Sequence, residues 1–270
     1  MLFRSNELGV YRVAAESNID PMQQFAIHPL GGGALTGSPF QFTNSALWML
    51  IVLGTILAFM WGGMKREMVP SRWQAAVEYL TSFASGMTLT NIGPEGRKYT
   101  PWVFTIFIFI LFSNLMGMMP FGIFPATHPF TVTSQFSVTG VMAIVSFSIV
   151  LIVGFWKHGL HFFSLFVPKG APLAVLFFIV PIEFVSFLIR PFSLMLRLFV
   201  AMIAGHILVD VFGNFIVQGI NGGGIGYGVS ALSFVFIIGI GALELLICAI
   251  QAYVFALLTS LYINDAVHLH

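Results

Sequence analysis

Glu183, Arg190, Arg197, His206 and Asp210 lie in one long apolar stretch of this chain, and Glu244 and Gln251 lie in the next. An ionisable side chain in hydrocarbon costs several kcal/mol, so each is a functional candidate. Arg197 is the sharpest. Its neighbours are Leu194, Met195, Leu196, Leu198, Phe199 and Val200, and no acid stands three or four residues away. Arginine does not deprotonate in proteins and so cannot relay a proton. It can hold a permanent positive charge where an anion must come and go. The plainer alternatives are an arginine snorkelling to an interface, or one paired to a neighbouring helix.

Helical geometry sorts the set. Glu183, Arg190 and Arg197 recur every seven residues and share one stripe of an α-helix. His206 is about 180° round from Arg197 at ~3.6 residues per turn, and Asp210 lies one turn beyond it. Asp210 either orients His206 or sits near the outer interface. Two polar stripes at different depths on opposite faces suit two offset, dead-ended water entries better than one continuous wire. If the two stretches form an antiparallel hairpin, facing positions have a nearly constant sum of residue numbers. His206 then meets Glu244, and Arg197 meets Gln251. A static buried pair and a helix-packing hydrogen bond are the plainer readings of those two meetings.

The elements that must position these groups are membrane helices. Of 270 residues, 58% are hydrophobic and 8% charged, against ~25% charged in soluble domains, so lipid must solvate much of the surface. Five hydrophobic regions are visible, at Ser45–Gly63, Trp102–Met119, Val132–Trp156, Ala171–Val217 and Val229–Ile263. The first three match the ~20 residues that cross ~30 Å of hydrocarbon. A continuous helix over the fourth would reach ~70 Å at ~1.5 Å per residue. It must tilt strongly, lie in the membrane, or break, and Pro172, Pro181 and Pro191 allow bending. Ser71-Arg72-Trp73-Gln74 opens an amphipathic surface helix with Ala76, Val77, Leu80, Phe83 and Ala84 near one face. The expected fold is all-α: about five membrane-embedded helices plus one amphipathic surface helix, the last two helices long and strongly tilted. Residues 1–44 form an extramembrane segment without a cleavable signal, and 45–270 a single membrane domain.

Lys65, Arg66, Arg72, Arg97 and Lys98 follow the first region, while Lys157 and Lys169 follow the third; the loops Pro120–Thr131 and Gln218–Gly228 hold no lysine or arginine. This alternation puts the charged loops on the cytoplasmic or matrix side and the N-terminus outside. Arg4 and Arg12 fall on the far side against that trend. Gly31-Gly32-Gly33 and the Gly222–Gly226 run lack the lysine of a phosphate loop and read as flexible loops. Cys248, the single cysteine, reads as a small buried hydrophobe. His158, His161, His268 and His270 lack further ligands at metal-site spacing. The net charge of +1 gives no reason to expect nucleic acid.

The run from Pro181-Ile-Glu183 through Arg190-Pro191-Phe192-Ser193-Leu194-Met195-Leu196-Arg197-Leu198-Phe199 to Ala204-Gly205-His206 resembles subunit a of the F-type ATP synthases. So do Asn114-Leu115-Met116-Gly117 with Pro120, Leu243-Glu244, Gln251-Ala252-Tyr253 and Tyr262-Ile263-Asn264-Asp265. The resemblance covers the chain from about Pro21 onward. One departure stands out: Val200-Ala201 occupies the place where the family often has Gly-Asn. The resemblance implies a rotating ring of c subunits, each with a mid-membrane carboxyl group, as partner. It also implies peripheral-stalk b subunits and the other ATP synthase subunits, and no cofactor. It makes Arg197 the essential arginine facing the ring and Glu183 a lining residue of the cytoplasmic half-channel. It puts His206 and Glu244 in the outer half-channel and Gln251 beside the arginine. The membrane would be a bacterial or mitochondrial inner membrane, and the chain would conduct protons without being a catalyst by itself. Proton or sodium coupling stays open, since that choice lies largely in the ring. A secondary transporter is the rival reading, but no internal repeat supports one.

Overall fold

The computed structural model describes residues 43–64, 69–118, 131–167 and 173–268. Expectations about residues 1–42, Lys65, Arg66, Lys169, Pro172, His270 and the 119–130 part of the loop fall outside the described residues. Six α-helices are present among those described: α1 (Asn44–Gly63), α2 (Arg72–Ile92), α3 (Thr100–Met118), α4 (Phe136–His158), α5 (Leu173–Gly222) and α6 (Ile225–Val267). Short 3-10 segments cover Pro94–Lys98, Val132–Ser134 and Gly159–Phe166, and no β-strand occurs among the described residues. All of these helices except α2 are long and apolar enough to cross a membrane.

The helix ends follow local chemistry. The Thr43 hydroxyl caps α1 by accepting from the Ala46 amide, and Ser71 caps α2 by accepting from the Gln74 amide. Gly93, at φ 82°, ends α2 directly before Pro94. Pro181 and Pro191 sit inside α5 without ending it. Each removes one ladder bond, but packing holds the helix continuous. The fourth hydrophobic region therefore does not break. At 50 residues α5 would rise ~75 Å, more than twice the ~30 Å of hydrocarbon, so it must tilt steeply or lie along the membrane. The 43-residue α6 is under the same constraint.

The two long helices form an antiparallel hairpin closed by Gly223 and Gly224, whose φ values of 61° and 52° lie in the left-handed region. The expected flexible glycine run is thus a tight reversal. Just outside it the helices nearly touch: a Cβ on Gly226 would stand 2.3 Å from the Gly219 carbonyl oxygen. Helices α3 and α4 pack on this hairpin, and the shared core includes Ile110, Val150, Leu198, Met202, Phe255 and Ile263. Helix α1 packs on α2, and on α3 through a separate cluster of Trp48, Val52, Ile56, Ile108 and Met116. Of the anticipated face of α2, Val77 and Ala84 are buried and Leu80 is half-buried, while Ala76 and Phe83 are exposed. The helix packs on α1, α3 and α6, with Asn91 Nδ2 donating to Ser260 Oγ at 2.7 Å and Trp73 Nε1 donating to the Phe59 carbonyl at 2.9 Å.

One end of the bundle gathers three elements. Lys157 at the end of α4 pairs with Glu95 of the Pro94–Lys98 turn at 2.5 Å, and His158 Nε2 meets the Val267 carbonyl of α6 at 3.1 Å. The two lysine- and arginine-bearing connections therefore meet at the same end, as the charge alternation requires. Lys157, by hydrogen bond and by charge, holds the Glu95 carboxyl below its ordinary value of 4.5. Ionised Glu95 then favours the folded state above that value, and the contribution is lost as pH falls through the lowered one. Both partners are exposed, so the tie is small and salt-screened. Lys157→Gln should slightly lower the thermal stability of the solubilised protein near neutral pH and low salt. The deficit should vanish in ~1 M salt and in acid below the glutamate range. A deficit surviving both would assign the effect to packing of the lysine stem.

Candidate ion-translocation site

Three polar stations follow one another along the α5–α6 hairpin. The first lies towards the N-terminal part of α5. Arg190 Nη1 donates to Asp265 Oδ2 of α6 at 2.8 Å, while Nη2 stands 3.7 Å from Glu183 Oε1. The guanidinium lies over the Phe187 and Tyr262 rings, 5.5 Å and 5.1 Å from their centroids, a placement that favours a cation. Arg190 is thus neutralised twice within its own chain. Glu183 keeps 42% of its side chain exposed, so it is both near a cation and reachable.

The last station lies past the middle of α5. His206 Nδ1 donates to Glu244 Oε1 of α6, the expected meeting, and both side chains are largely buried at 12% and 7% exposure. His206 Nε2 is hydrogen-bonded to Thr131 Oγ1. Gly205 makes room for the acid, since a Cβ there would stand 2.8 Å from Glu244 Oε1. Asp210, one turn beyond His206, is half-buried.

Arg197 lies between them, ~10 Å of helix rise after Arg190 and ~13 Å before His206 at ~1.5 Å per residue. Among the described residues its side chain has neither an ion pair nor a hydrogen bond. It shares a face of α5 with Ser193, Val200 and Ala204, all exposed. The meeting of Arg197 with Gln251 therefore does not take the form of a hydrogen bond; both are half-buried, and Gln251 has no side-chain hydrogen bond among the described residues. The reason is the direction of the face. Leu194, Met195 and Leu198 turn into the core, which leaves Arg197 on the side this chain's own helices do not cover. Val200, one of the two residues standing in place of Gly-Asn, is 55% exposed on that side.

Cys248 is fully buried with its thiol against the Met118 sulfur. Of the histidines weighed as metal ligands, His158 bonds a backbone carbonyl and His268 bonds Asn264 Oδ1 at 2.9 Å. Sequence reasoning passed over Asp265 and Thr131. The antiparallel register that pairs His206 with Glu244 puts Ser260, not Asp265, opposite Arg190, so it does not single Asp265 out. Thr131 carries no signal of its own, since it sits in a connection between helices.

The family model for the ATP synthase A chain matches residues 46–264. The chain belongs to the ATP synthase A chain family. It is similar to ATP synthase subunit a of Sphingopyxis alaskensis, 63% identical over 96% of this chain and all of that protein. It is 61% identical to ATP synthase subunit a of Rhizorhabdus wittichii over the same shares. ATP synthase subunit a of Rhodospirillum rubrum is 41% identical over 93% of this chain and 99% of its own length. The matched span of this ATP synthase A chain holds Glu183, Arg197, His206, Asp210, Glu244 and Gln251, and stops one residue short of Asp265. As an ATP synthase A chain with five helices able to cross a bilayer, it is a multi-pass membrane protein.

The first station yields a prediction about stability. Ion pairs range from about 0–1 kcal/mol at exposed sites to about 3–5 kcal/mol for breaking a buried one, and the Arg190–Asp265 pair is half-buried. Asp265→Ala should cost roughly 1–2 kcal/mol by that interpolation, seen as a lower unfolding temperature of the solubilised ATP synthase. Asp265→Glu should recover most of it. Equal losses for both variants would show that the pair contributes little.

Proposed function

We propose that this chain is the proton-translocating stator subunit of an F-type ATP synthase. It offers two offset half-channels to a rotating c ring, with Arg197 as the essential cation between them. One observation carries the reading: the other arginine of α5 is paired within the chain, and the buried histidine has a carboxylate partner, but among the described residues Arg197 has none, and it lies on an uncovered face. A desolvated arginine without an internal partner needs a counter-charge from elsewhere. A ring carboxylate supplies one only while it is ionised.

Protons enter from outside by way of His206 and Glu244, with Asp210 beside the entry. Histidine exchanges protons near neutral pH, and a carboxylate in hydrogen-bond contact can hand a proton on. The proton neutralises a ring carboxylate, which can then face lipid. On the other side a ring carboxyl releases its proton towards Glu183, whose exposed side chain opens on the cytoplasmic half-channel. Gln251, across the hairpin from Arg197, offers the passing carboxyl a neutral donor. Arg197 stabilises the ionised carboxylate between the channels and repels protons that would cross directly. The drive is the transmembrane potential, ~2.3 kcal/mol per charge per 100 mV, together with any pH gradient.

The c ring, the peripheral-stalk b subunits, the other ATP synthase subunits and lipid are the partners. The bacterial origin of the relatives supports a bacterial inner membrane. The test is proton-driven ATP synthesis in membrane vesicles carrying the whole complex with Arg197→Ala; tightly coupled synthesis at the parent rate would overturn the assignment.

A further inference from the structure

The outer entry contains a contact that the proton path above does not use. Thr131 is buried at 2% exposure, and its hydroxyl is bonded to His206 Nε2, the ring nitrogen opposite the one facing Glu244. The residue is held from several sides. Its carbonyl accepts from the Ser134 hydroxyl at 2.6 Å and from the Ser134 amide at 3.0 Å. Two residues on, Thr133 Oγ1 donates to Asn114 Oδ1 at 2.6 Å, and Asn114 Nδ2 donates to the Cys248 carbonyl at 3.4 Å. The turn is thereby tied to α3 and α6. Gly117 of α3 supplies the seat, since a Cβ there would stand 2.2 Å from Thr131 Oγ1 and 2.7 Å from Thr131 Cβ.

We propose that Thr131 is a positioning residue of the outer proton entry, whose hydroxyl keeps a hydrogen bond to His206 Nε2 in both charge states of the ring. The inference rests on His206 carrying protons as proposed above. With Glu244 accepting from Nδ1–H, the neutral ring presents a bare Nε2, and the Thr131 hydroxyl donates to it. When the ring gains a proton at Nε2, the hydroxyl rotates and accepts. A hydroxyl can do both; a methyl group can do neither. The ring therefore changes charge without being released from its place, and its Nδ1–H stays aimed at Glu244. The bare Cα of Gly117 lets the hydroxyl come close enough.

The two states do not depend on Thr131 equally. Hydrogen bonds to an ionised group are roughly twice as strong as neutral ones, so losing the hydroxyl penalises the charged ring more. Other titratable groups act on the same ring: Glu244 from α6, and Asp210 from α5 itself. The described parts of α3, of residues 131–135 and of the adjoining half of α4 contribute none.

The experiment measures proton flux through the whole ATP synthase in membrane vesicles while pH is varied on the entry side. Thr131→Val preserves shape and removes the hydroxyl. The acid-side midpoint of uptake should move about 0.5–1 pH unit towards acid, with maximal flux largely retained, and Thr131→Ser should restore the parent midpoint. An unmoved midpoint in an assembled Thr131→Val complex overturns the inference. If that variant does not assemble, Thr131→Ala is read in the same way. Failure of both to assemble, with Thr131→Ser assembling normally, also overturns it in favour of a purely structural residue. His206→Ala and Glu244→Gln run alongside. If those two leave flux unchanged at every pH, the outer-entry reading itself falls; if they depress it while Thr131→Val does not shift the midpoint, only the role of Thr131 is lost.

Discussion

Arg197→Ala should abolish proton-driven ATP synthesis while leaving the chain inserted and assembled. Two unit charges ~4 Å apart interact by ~4 kcal/mol at an effective dielectric constant of ~20. That corresponds to about a thousandfold in the population of an ionised ring carboxylate at ~1.4 kcal/mol per decade. Under the proposed mechanism the carboxyl would then stay protonated beside this chain, and the two proposed channels would exchange no net charge with the ring. Arg190 cannot take over, because it sits ~10 Å away along the helix and is held by Asp265 and Glu183. Assembly should survive, because the guanidinium makes no hydrogen bond or ion pair among the described residues that would be lost. Arg197→Lys should restore little, since an ammonium is more strongly hydrated and can deprotonate. The measurement is ATP synthesis rate against imposed proton-motive force, with complex abundance as the control.

Gly205→Ala should reduce proton flux about tenfold or more without unfolding the protein. The new methyl would approach Glu244 Oε1 to 2.8 Å, Cδ to 3.0 Å and Cγ to 3.2 Å. These atoms end a flexible side chain, so Glu244 would swing aside and the helices would stay in place. The displaced oxygen is the one bonded to His206 Nδ1. A hydrogen bond to a charged group contributes about 1.5–3 kcal/mol, which is about one to two decades. Flux in vesicles should fall towards the Glu244→Gln level while the unfolding temperature changes little. A large fall in thermal stability with normal residual flux per complex would show that the helices had separated instead.

The membrane class, the five apolar segments and the polar residues that break them are determined by composition and period alone. Desolvation leaves no other use for such a chain, and helical spacing needs no tertiary information. The meeting of His206 with Glu244 was also legible, because an antiparallel hairpin of two unbroken helices imposes one register along its length. The same register applied to Arg190 points to Ser260, five residues short of Asp265.

Only the tertiary structure decided which of two similar arginines is spent on internal pairing. Arg190 and Arg197 lie on one stripe in equally apolar sequence, and their difference depends on what the other helix brings opposite each. The tertiary structure also decided that the apolar face of α2 packs on α1, α3 and α6, since amphipathicity specifies a buried face and not what buries it. Thr131 and the bare glycines Gly117 and Gly205 belong to the same class. Their roles are distances between segments far apart in the chain, and no local pattern of residues encodes a distance.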